Sequence, residues 1–503
     1  MEGKITLENL KTDYYDLLDP KIGRKRIIKK VEKLESKKDY LLDWLNFSKI
    51  GESVYPSQGL LTTPYDYLNY SSLQMLPYET IIETLRVRRF FLEVFNHPYR
   101  MHYLHKVNSK KFSPPPKIKI SPLDNAVREG LFLSVGDFGA SVLGSKNERV
   151  SRRERYAQGP FVKLGKQARS IFFGSAQPDV WNTAASISTM AACHCLATLP
   201  RNGLMSNVKR QSDLAKEVFL WLEKIENELL SERNDRKIIS DFWKSNVCAA
   251  LEASPEKALV RTEGLYESGV RCFKVYSPEP GDGIIKTIKA LRNVYDNSIE
   301  IFAKFAINVA HAKKIEESGA NGIFIGIGGG GRCITGVRTG SAIDWPLLLY
   351  KLRGEIKIPV IVDGGASDHI ATTLLLGASG INVSRAAAGG TIESPGGALY
   401  YSDSHGKLFK PYGGEASPRT KYLDGKIMPF DIPSFVEGET GQAFLNYSEH
   451  KFPSLTYNLH IMTEDAILAL VFRGVDSIHS LHKINPSPLG RITSSGEYQR
   501  NTH

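Results

Sequence analysis

The chain has few cysteines and no long apolar run. Both features limit the classes of protein to which it can belong. Five cysteines in 503 residues make no disulfide framework, and none has the Cys-x-x-Cys spacing of a zinc site. The tripeptide Cys193-His194-Cys195 lies among small, apolar residues, which is typical of a buried helix end rather than a metal site. No window of eighteen apolar residues occurs, and the first residues are polar and acidic. We therefore expect a cytoplasmic protein that does not interact with membranes.

The composition is that of an ordinary globular protein with an excess of positive charge. Hydrophobic residues make up 42% and charged residues 24% of the chain, which excludes wholesale disorder. The net charge of +11 suits either nucleic acid or a small anionic substrate. Because no nucleic-acid-reading motif accompanies the charge, the sequence favours an anionic small molecule.

The chain divides at a run of prolines. Residues 1–112 contain the helical pattern Tyr78 to His97 and predict a mainly helical N-terminal domain, to which no role is assigned. The run Ser113-Pro114-Pro115-Pro116 cannot continue a helix, so residues 113–160 are interpreted as a connector and barrel entry. Residues 161–503 are interpreted as one catalytic domain.

Short β-branched runs alternate with helical stretches after the connector, which is typical of parallel βα units. Helices are predicted between the runs, for example Ala310 to Ser318 and His369 to Leu376. Eight such units in this length favour a closed (β/α)8 TIM barrel over an open doubly wound sheet. The predicted strands are Ser170–Gly174, Cys195–Leu199, Asn246–Leu251, Val270–Tyr276, Glu300–Phe305, Gly322–Ile327, Pro359–Asp363 and Gly380–Ser384.

A glycine-rich loop with one cysteine follows the sixth predicted strand. Four glycines, Gly328 to Gly331, are followed by Arg332, Cys333 and, two residues later, Thr335. Consecutive glycines let backbone amides approach an anion, and cysteine is a strong nucleophile at neutral pH. The pattern indicates a nucleophile beside an anion-binding loop. The alternative is a small side chain that only fills the barrel mouth.

The next two strands also end in residues that suit a ligand. Asp363-Gly364-Gly365 ends the seventh strand and Ser384-Arg385 the eighth, and barrels often bind phosphate at these two loops. A glycine pair and a guanidinium are both suited to an anion. The alternatives are a helix N-cap for Asp363 and a salt bridge at the rim for Arg385.

These motifs together resemble the inosine monophosphate dehydrogenase and guanosine monophosphate reductase family. The similarity runs from about Val247 to the C-terminus and is strongest from Ala320 to Lys426, where the motifs keep the family's order and spacing. The resemblance implies a purine-nucleotide oxidoreductase with a TIM barrel, a flap near residues 405–445, and a homo-oligomer, by analogy a tetramer.

The resemblance also implies roles for individual residues. Cys333 matches the family's nucleophile, which attacks the purine C2, and Thr335 matches the hydroxyl that activates water or the leaving amine. Glu393 matches the acidic partner of the reductase branch and would otherwise be a solvated loop acid. Arg419 and Tyr422 lie where the dehydrogenase has its Arg-Tyr base pair.

The remaining implied contacts are to the substrate and to a nicotinamide cofactor, NAD or NADP. The cofactor would lie at Ser277, Gly326 and Gly328, and a monovalent cation such as potassium at the Gly326–Cys333 loop. The substrate would be bound by Gly330, Gly331, Arg332, Asp363, Gly364, Gly365, Ser384, Arg385, Tyr412, Gly413, Gly414 and Glu439.

Departures from the family pattern leave other hypotheses open. The family's acidic stretch after the fourth strand is replaced by a sequence that begins Tyr276-Ser277, and its Gly-Ser phosphate pair is replaced by Arg385-Ala386. One alternative is non-redox chemistry, amination or hydrolysis, on a purine-like anionic substrate. A second is a flavin-binding barrel. A third is a non-catalytic binding or assembly protein.

Overall fold

Eight short parallel strands form the centre of the fold in the computed structural model of the chain. The structure describes residues 6–23, 25, 72–118, 132–133, 150–277, 281–327, 333–364, 366–424, 427–428, 432–433, 438–448 and 450–490. In chain order the strands are β1 (Ser72–Met75), β2 (Phe132–Leu133), β3 (Phe161–Leu164), β4 (Gln167–Ser170), β5 (Phe172–Gly174), β6 (Ala197–Leu199), β7 (Val247–Glu252), β8 (Cys272–Tyr276), β9 (Glu300–Lys304), β10 (Gly322–Ile325), β11 (Val360–Val362), β12 (Gly380–Val383), β13 (Leu399–Ser402), β14 (Leu408–Gly413), β15 (Ile427–Met428), β16 (Ile432–Pro433), β17 (Thr440–Phe444) and β18 (Leu489–Gly490).

The central sheet closes into a barrel. Its strands lie side by side in the order β5-β12-β11-β10-β9-β8-β7-β6. The two end strands then meet, because Gly174 N donates to Leu196 O at 2.6 Å and Leu196 N donates to Phe172 O at 3.2 Å. The strand pairs are parallel throughout. The predicted (β/α)8 TIM barrel is therefore confirmed.

All eight predicted barrel strands are present, and their ends differ from the prediction by at most two residues. Each is a short, apolar run buried on both faces, as expected of a parallel sheet covered by helices. The sixth strand ends early because Gly326 adopts a φ of +105°. The helix predicted for Ala310 to Ser318 is observed at Val309–Glu317, and that for His369 to Leu376 at Ile370–Leu376.

Helices surround the barrel and continue into the N-terminal part. Three aromatic rings from different strands pack inside the barrel, where the Phe173 ring lies 5.2 Å from the Phe302 ring and 4.9 Å from the Phe324 ring. The helices are α1 (Leu7–Leu18), α2 (Tyr78–Phe95), α3 (Pro98–Asn108), α4 (Arg152–Gln158), α5 (Pro178–Trp181), α6 (Ala184–Ala192), α7 (Val208–Leu229), α8 (Arg236–Ser245), α9 (Pro255–Glu267), α10 (Gly283–Tyr295), α11 (Val309–Glu317), α12 (Thr335–Thr339), α13 (Trp345–Leu352), α14 (Ile370–Leu376), α15 (Arg385–Ala388), α16 (Pro418–Leu423), α17 (Leu455–Val471) and α18 (Ile478–His482).

The N-terminal helices pack directly on the barrel's outer layer. Helix α2 lies against α17, where the Phe91 ring is 5.4 Å from the Tyr457 ring. The proline connector is also docked, because Arg353 Nε donates to Pro116 O at 2.9 Å. One apolar core runs from Tyr14 to Leu489. The predicted domain limits at residues 112 and 160 stay predictions.

An antiparallel sheet lies beyond the barrel strands in the sequence and includes part of the predicted flap. Its strands lie in the order β1-β13-β14-β17, so a strand from the N-terminal part joins three that follow the barrel. Residues 425–426, 429–431 and 434–437 of the predicted flap lie outside the described residues. Within the described part of the chain, no helix is long and apolar enough to cross a membrane.

Candidate active site

The predicted nucleophile lies just beyond the end of β10, at the carboxyl edge of the barrel. Cys333 is half-buried, and its Sγ donates to Thr335 Oγ1 at 3.2 Å. Thr335 is the first residue of α12, and the Cys333 backbone forms an antiparallel bridge with Gly438. The structure thus brings the predicted thiol and hydroxyl together. Gly328, Gly330, Gly331 and Arg332 lie outside the described residues.

Gly326 brings the β10 chain against the end of β11. A Cβ at this position would lie 2.2 Å from the Asp363 carbonyl oxygen, far inside the range of real contacts. With the left-handed φ, this close approach requires glycine. The predicted cofactor residue Gly326 therefore packs on the predicted substrate residue Asp363. Gly364 also has a left-handed φ, of +80°, and Gly365 lies outside the described residues.

Asp363 is the centre of a network of charged and polar side chains. Lys304 Nζ lies 2.7 Å from Asp363 Oδ2, and Asn382 Nδ2 donates to Asp363 Oδ1 at 2.5 Å. The same lysine lies 3.8 Å from Glu415 Oε2. Burial alone would raise the pKa of Asp363, but the charge of Lys304 and the two hydrogen bonds outweigh it and lower the pKa. Asp363 is thus an ionised carboxylate with both oxygens engaged.

Three predicted substrate residues meet at the end of the eighth strand. Tyr412 OH donates to Ser384 Oγ at 3.3 Å, and the Arg385 guanidinium lies 5.9 Å from the Tyr412 ring centroid. Burial raises the pKa of Tyr412, so the phenol stays protonated as a donor. A cation, a phenol and a hydroxyl side by side are suited to an anionic group.

A partly buried aspartate contacts the first of the two glycines that follow Tyr412. Asp179 Oδ2 accepts from Gly413 N at 2.8 Å, and Asp179 Oδ1 accepts from Arg419 Nε at 3.0 Å. Arg419, predicted as part of the catalytic base pair, is 4% exposed and anchored by this contact. Tyr422, its predicted partner, is half-buried on the same helix, α16. Gly414 N donates to Glu439 O at 3.3 Å, and the Glu439 side chain is exposed.

The contacts of the Glu393 carboxylate are to residues of α2 and of the start of α17. Glu393 is 0% exposed, and its carboxylate accepts from Leu455 N and Ser454 Oγ, each at 3.1 Å. Arg88 Nε on α2 lies 3.7 Å from the same carboxylate. Burial raises the pKa of Glu393 despite the charge of Arg88. Its contacts therefore join α2 to the start of α17, and its predicted catalytic role stays a prediction.

Aromatic rings line the mouth near the ends of β8 and β9. The Tyr276 ring is 5.8 Å from the Phe305 ring in an edge-on arrangement, and the Arg201 guanidinium is 5.1 Å from the Tyr276 centroid. Ser277, predicted to contact the cofactor, donates its backbone N–H to Lys304 O at 3.1 Å. This part of the mouth presents flat apolar surfaces and a cation.

Several polar residues at the mouth were not predicted from the sequence. Two of them are lysines, Lys274 within β8 and Lys304 at the end of β9, and a charged residue in a buried strand is the signal that could have identified them. The others carry no local signal in the sequence. The unpredicted residues are Gln177, Asp179, Arg201, Lys274, Lys304, Asn382 and Glu415.

Comparison with known proteins relates the chain to a family of nucleotide enzymes. A sequence model of the IMP dehydrogenase / GMP reductase domain matches residues 79–503. This match begins within α2, far upstream of the resemblance noted from Val247.

Individual relatives align over shorter stretches. A GMP reductase of Oceanobacillus iheyensis is 30% identical over 213 residues, which cover 41% of this chain and 58% of that protein. An inosine-5'-monophosphate dehydrogenase of Nitrosopumilus maritimus is 31% identical over 165 residues, or 32% of this chain and 34% of that protein. A GMP reductase of Lactococcus lactis is 34% identical over 144 residues, or 28% of this chain and 42% of that protein. The chain thus spans between a third and three fifths of the length of these relatives.

Proposed function

Because the chain belongs to the IMP dehydrogenase / GMP reductase family, we propose that it is a purine-nucleotide oxidoreductase whose Cys333 forms a covalent adduct at the purine C2. The observation that carries the proposal is the 3.2 Å contact between Cys333 Sγ and Thr335 Oγ1 at the barrel mouth. A half-buried thiol at this edge can meet a ligand from solvent. Active sites of TIM barrels lie at this edge of the strands.

The chemistry divides one difficult step into two. The purine C2 lies between two nitrogens and is electrophilic, so the Cys333 thiolate attacks it and forms a carbon–sulfur bond. In the dehydrogenase direction this carbon would lose hydride to a nicotinamide cofactor, and water would then replace the sulfur. In the reductase direction the amino group would leave as ammonia, and hydride from the reduced cofactor would then replace the sulfur. The Thr335 hydroxyl is positioned to hold the water or amine that enters or leaves.

The nucleotide would be held by its charged and hydroxyl groups. We assign the phosphate to Ser384, Arg385 and Tyr412, whose donors lie together. We assign the ribose hydroxyls to Asp363. Since Lys304 and Asn382 already engage both oxygens of this carboxylate, the ribose shares Asp363 with these two side chains.

The residues near β8 and β9 fit a nicotinamide dinucleotide. Arg201 Nε is buried and has no hydrogen-bond partner among the described residues, so it offers a donor to a phosphate. The Tyr276 and Phe305 rings offer surfaces to a flat ring, and Ser277 lies beside them. Bound NAD or NADP would supply the hydride acceptor or donor.

Other properties belong to the same proposal by family analogy. A monovalent cation such as potassium would lie at the Gly326–Cys333 loop, most of which is outside the described residues. We also propose a cytoplasmic homo-oligomer, a tetramer by analogy. We propose that the mainly helical part before residue 113 is an N-terminal domain, packed on the catalytic barrel.

The proposal is tested by nucleotide turnover of the full chain. Reduced nicotinamide absorbance is followed with IMP and NAD or NADP, and separately with GMP and NADPH or NADH. Cys333→Ser should abolish turnover while calorimetric nucleotide binding stays within a few-fold of wild type, because the nucleotide's charged groups contact other residues. Mass spectrometry of the intact wild-type protein would detect the adduct as an increase in mass that corresponds to one bound purine nucleotide.

Cys193→Ala provides the matched control. Cys193 is buried in the cap of α6, and this substitution should leave turnover unchanged. Wild-type turnover that survives in Cys333→Ser would remove the covalent mechanism. Nucleotide binding with no change in nicotinamide absorbance would instead favour non-redox chemistry on the same scaffold.

A further inference from the structure

A lysine with no hydrogen-bond partner lies inside the barrel. Lys274 is in the middle of β8 and is 1% exposed. Its Nζ makes no hydrogen bond within the described part of the chain. Its nearest ring neighbours are Phe173 and Phe324, whose centroids lie 5.7 Å and 5.5 Å from Nζ. A primary amine therefore lies against apolar rings with its donors unused.

Within the described residues, the other buried lysines are engaged by polar partners. Lys410 Nζ donates to Thr391 O at 2.6 Å, to Gly397 O at 2.7 Å and to Ser394 O at 3.1 Å. Lys304 Nζ forms the ion pair with Asp363. A buried ammonium without partners is energetically costly, whereas a neutral amine is tolerated. Burial lowers the pKa of Lys410 as well, but its Nζ is held by carbonyl oxygens, so among the described residues Lys274 is the buried lysine whose amine has no hydrogen-bond partner.

On balance, the surroundings of Lys274 lower its pKa. Burial is the largest influence and the neighbouring Lys304 ammonium the next, and together they lower the pKa of Lys274 to about 8. Glu415, Cys248 and Asp363 act in the opposite direction with smaller effect. Desolvation beside a second cation is a known way to activate an amine for attack on a carbonyl.

Two unpartnered acceptors accompany the amine. Asn382 Oδ1 and Glu415 Oε1 are both buried and have no hydrogen-bond partner among the described residues. Both residues contact the Lys304–Asp363 ion pair from different elements, β12 and the segment after β14. A free amine and two free acceptors around one ion pair indicate a ligand that both donates and accepts.

We propose that Lys274 is an amine nucleophile that captures a small aldehyde or ketone as an imine. The amine lone pair forms a bond to the carbonyl carbon, and the carbonyl π electrons move to oxygen, which takes a proton. The resulting carbinolamine loses its hydroxyl group with a second proton as water and leaves a C=N bond. No electrons are gained or lost overall. The unpartnered Glu415 Oε1 is the base suited to accept and return the proton.

This activity is separate from the chemistry proposed for Cys333. It requires neither purine nor nicotinamide, and it uses a nitrogen nucleophile on β8 instead of a sulfur after β10. The amine lies close to the rings of Phe173 and Phe324 and to the Lys304 ammonium. The class of ligand that suits it is therefore a small carbonyl compound of two or three carbons.

The test is reductive trapping on the native full chain. Acetaldehyde with sodium cyanoborohydride converts an imine into a stable N-ethyl lysine, which peptide mass mapping locates. We expect N-ethylation of Lys274 and none of Lys410, which is equally buried but fully hydrogen-bonded. The pH profile of trapping at Lys274 should rise with a midpoint near 8, because the amine attacks only when neutral.

Two variants provide controls for the trapping experiment. Lys274→Met should lose the label at this peptide while exposed lysines such as Lys209 keep theirs. Lys304→Met removes the neighbouring ammonium, so the trapping midpoint of Lys274 should move to higher pH. Labelling confined to exposed lysines in the native wild type, with Lys274 modified only after unfolding, would overturn the proposal whatever the behaviour of the variants.

Discussion

Lys304 Nζ lies 2.7 Å from Asp363 Oδ2, so one ion pair joins β9 to β11 across the intervening strand β10. The two side chains are 6% and 18% exposed, which places the pair within the mouth and not on the surface. The contact fixes the position of the carboxylate that follows β11. It also makes the stability of the barrel depend on two residues of the mouth.

Removing one partner of this pair should destabilise the fold. Lys304→Met leaves the Asp363 carboxylate buried without its cation, which typically costs about 3–5 kcal/mol. The free energy of urea unfolding measures the loss. Lys313→Met is the matched control, because Lys313 pairs with Glu355 while 45% exposed, and exposed pairs contribute about 0–1 kcal/mol. Equal losses in the two variants would contradict a buried pair.

The contribution of the pair should depend on pH in a definite window. The pKa of Asp363 is below its ordinary 3.8, so its contribution is present above that value and is lost as pH falls through the folded pKa. The pKa of Lys304 is above its ordinary 10.5, so its contribution is complete below 10.5 and is lost as pH rises further.

The measurement compares wild type with the double variant Lys304→Met, Asp363→Asn. The difference in unfolding free energy should be constant from about pH 5 to about pH 10 and should shrink below pH 4, where the wild-type carboxylate takes up its proton. A difference that grows on acidification would show that the two residues do not form the pair in solution.

The contact between Arg88 and Glu393 should hold α2 on the barrel. Arg88 and Glu393 are 2% and 0% exposed, and Glu393 also accepts from the first backbone N–H of α17. Arg88→Met leaves this charge uncompensated and should cost about 3–5 kcal/mol. The additional change Glu393→Gln removes the charge, keeps an acceptor for Leu455 N, and should restore most of the loss.

Arg86→Met is the control on the same helix. Arg86 lies 3.6 Å from Glu83, and these side chains are 35% and 61% exposed, so its loss should stay within about 1 kcal/mol. Chemical unfolding of the three variants gives the comparison. A loss for Arg88→Met no larger than that for Arg86→Met would mean that α2 docks without this pair.

A methyl group at Gly326 should disturb the contact between β10 and β11. Gly340→Ala measures the backbone effect alone, because Gly340 has φ +70° and open space around it, and an L-residue there costs about 1–2 kcal/mol. Gly326→Ala adds a contact of 2.2 Å with the Asp363 carbonyl and should cost about 1–3 kcal/mol more. Thermal unfolding of both variants checks the difference. Equal losses would indicate that the strands separate easily here.

The barrel strands could be predicted from the sequence because each one is a short, apolar run between turn residues. Parallel strands covered by helices on one side and by the barrel interior on the other are buried throughout, so their signal is local and continuous. The same topology implies that Cys333, Asp363 and Arg385 lie at one edge, since each follows a strand end. The ends of the strands are harder to predict. Strand β10, for example, ends because of the backbone conformation of Gly326 and its contact with Asp363.

The partners of the site residues could not be predicted in this way. Lys304, Asp363, Asn382 and Glu415 come from separate elements, and only the folded arrangement of neighbouring strands and of the segment after β14 brings their side chains within reach of one another. Glu393 is a residue that the order of the sequence motifs predicts to be in the site. In the structure its carboxylate lies between Arg88 and the start of α17.

The sequence by itself determined the barrel, the position of the thiol after its sixth strand, and the adjacent hydroxyl at Thr335, because these follow from local apolar patterning and from neighbours along the chain. Only the tertiary structure decided which charges meet in the mouth and which buried lysine, among the described residues, has no hydrogen-bond partner. Electrostatic pairing and burial depend on distances in space, and residues far apart in sequence acquire those distances when the eight strands close.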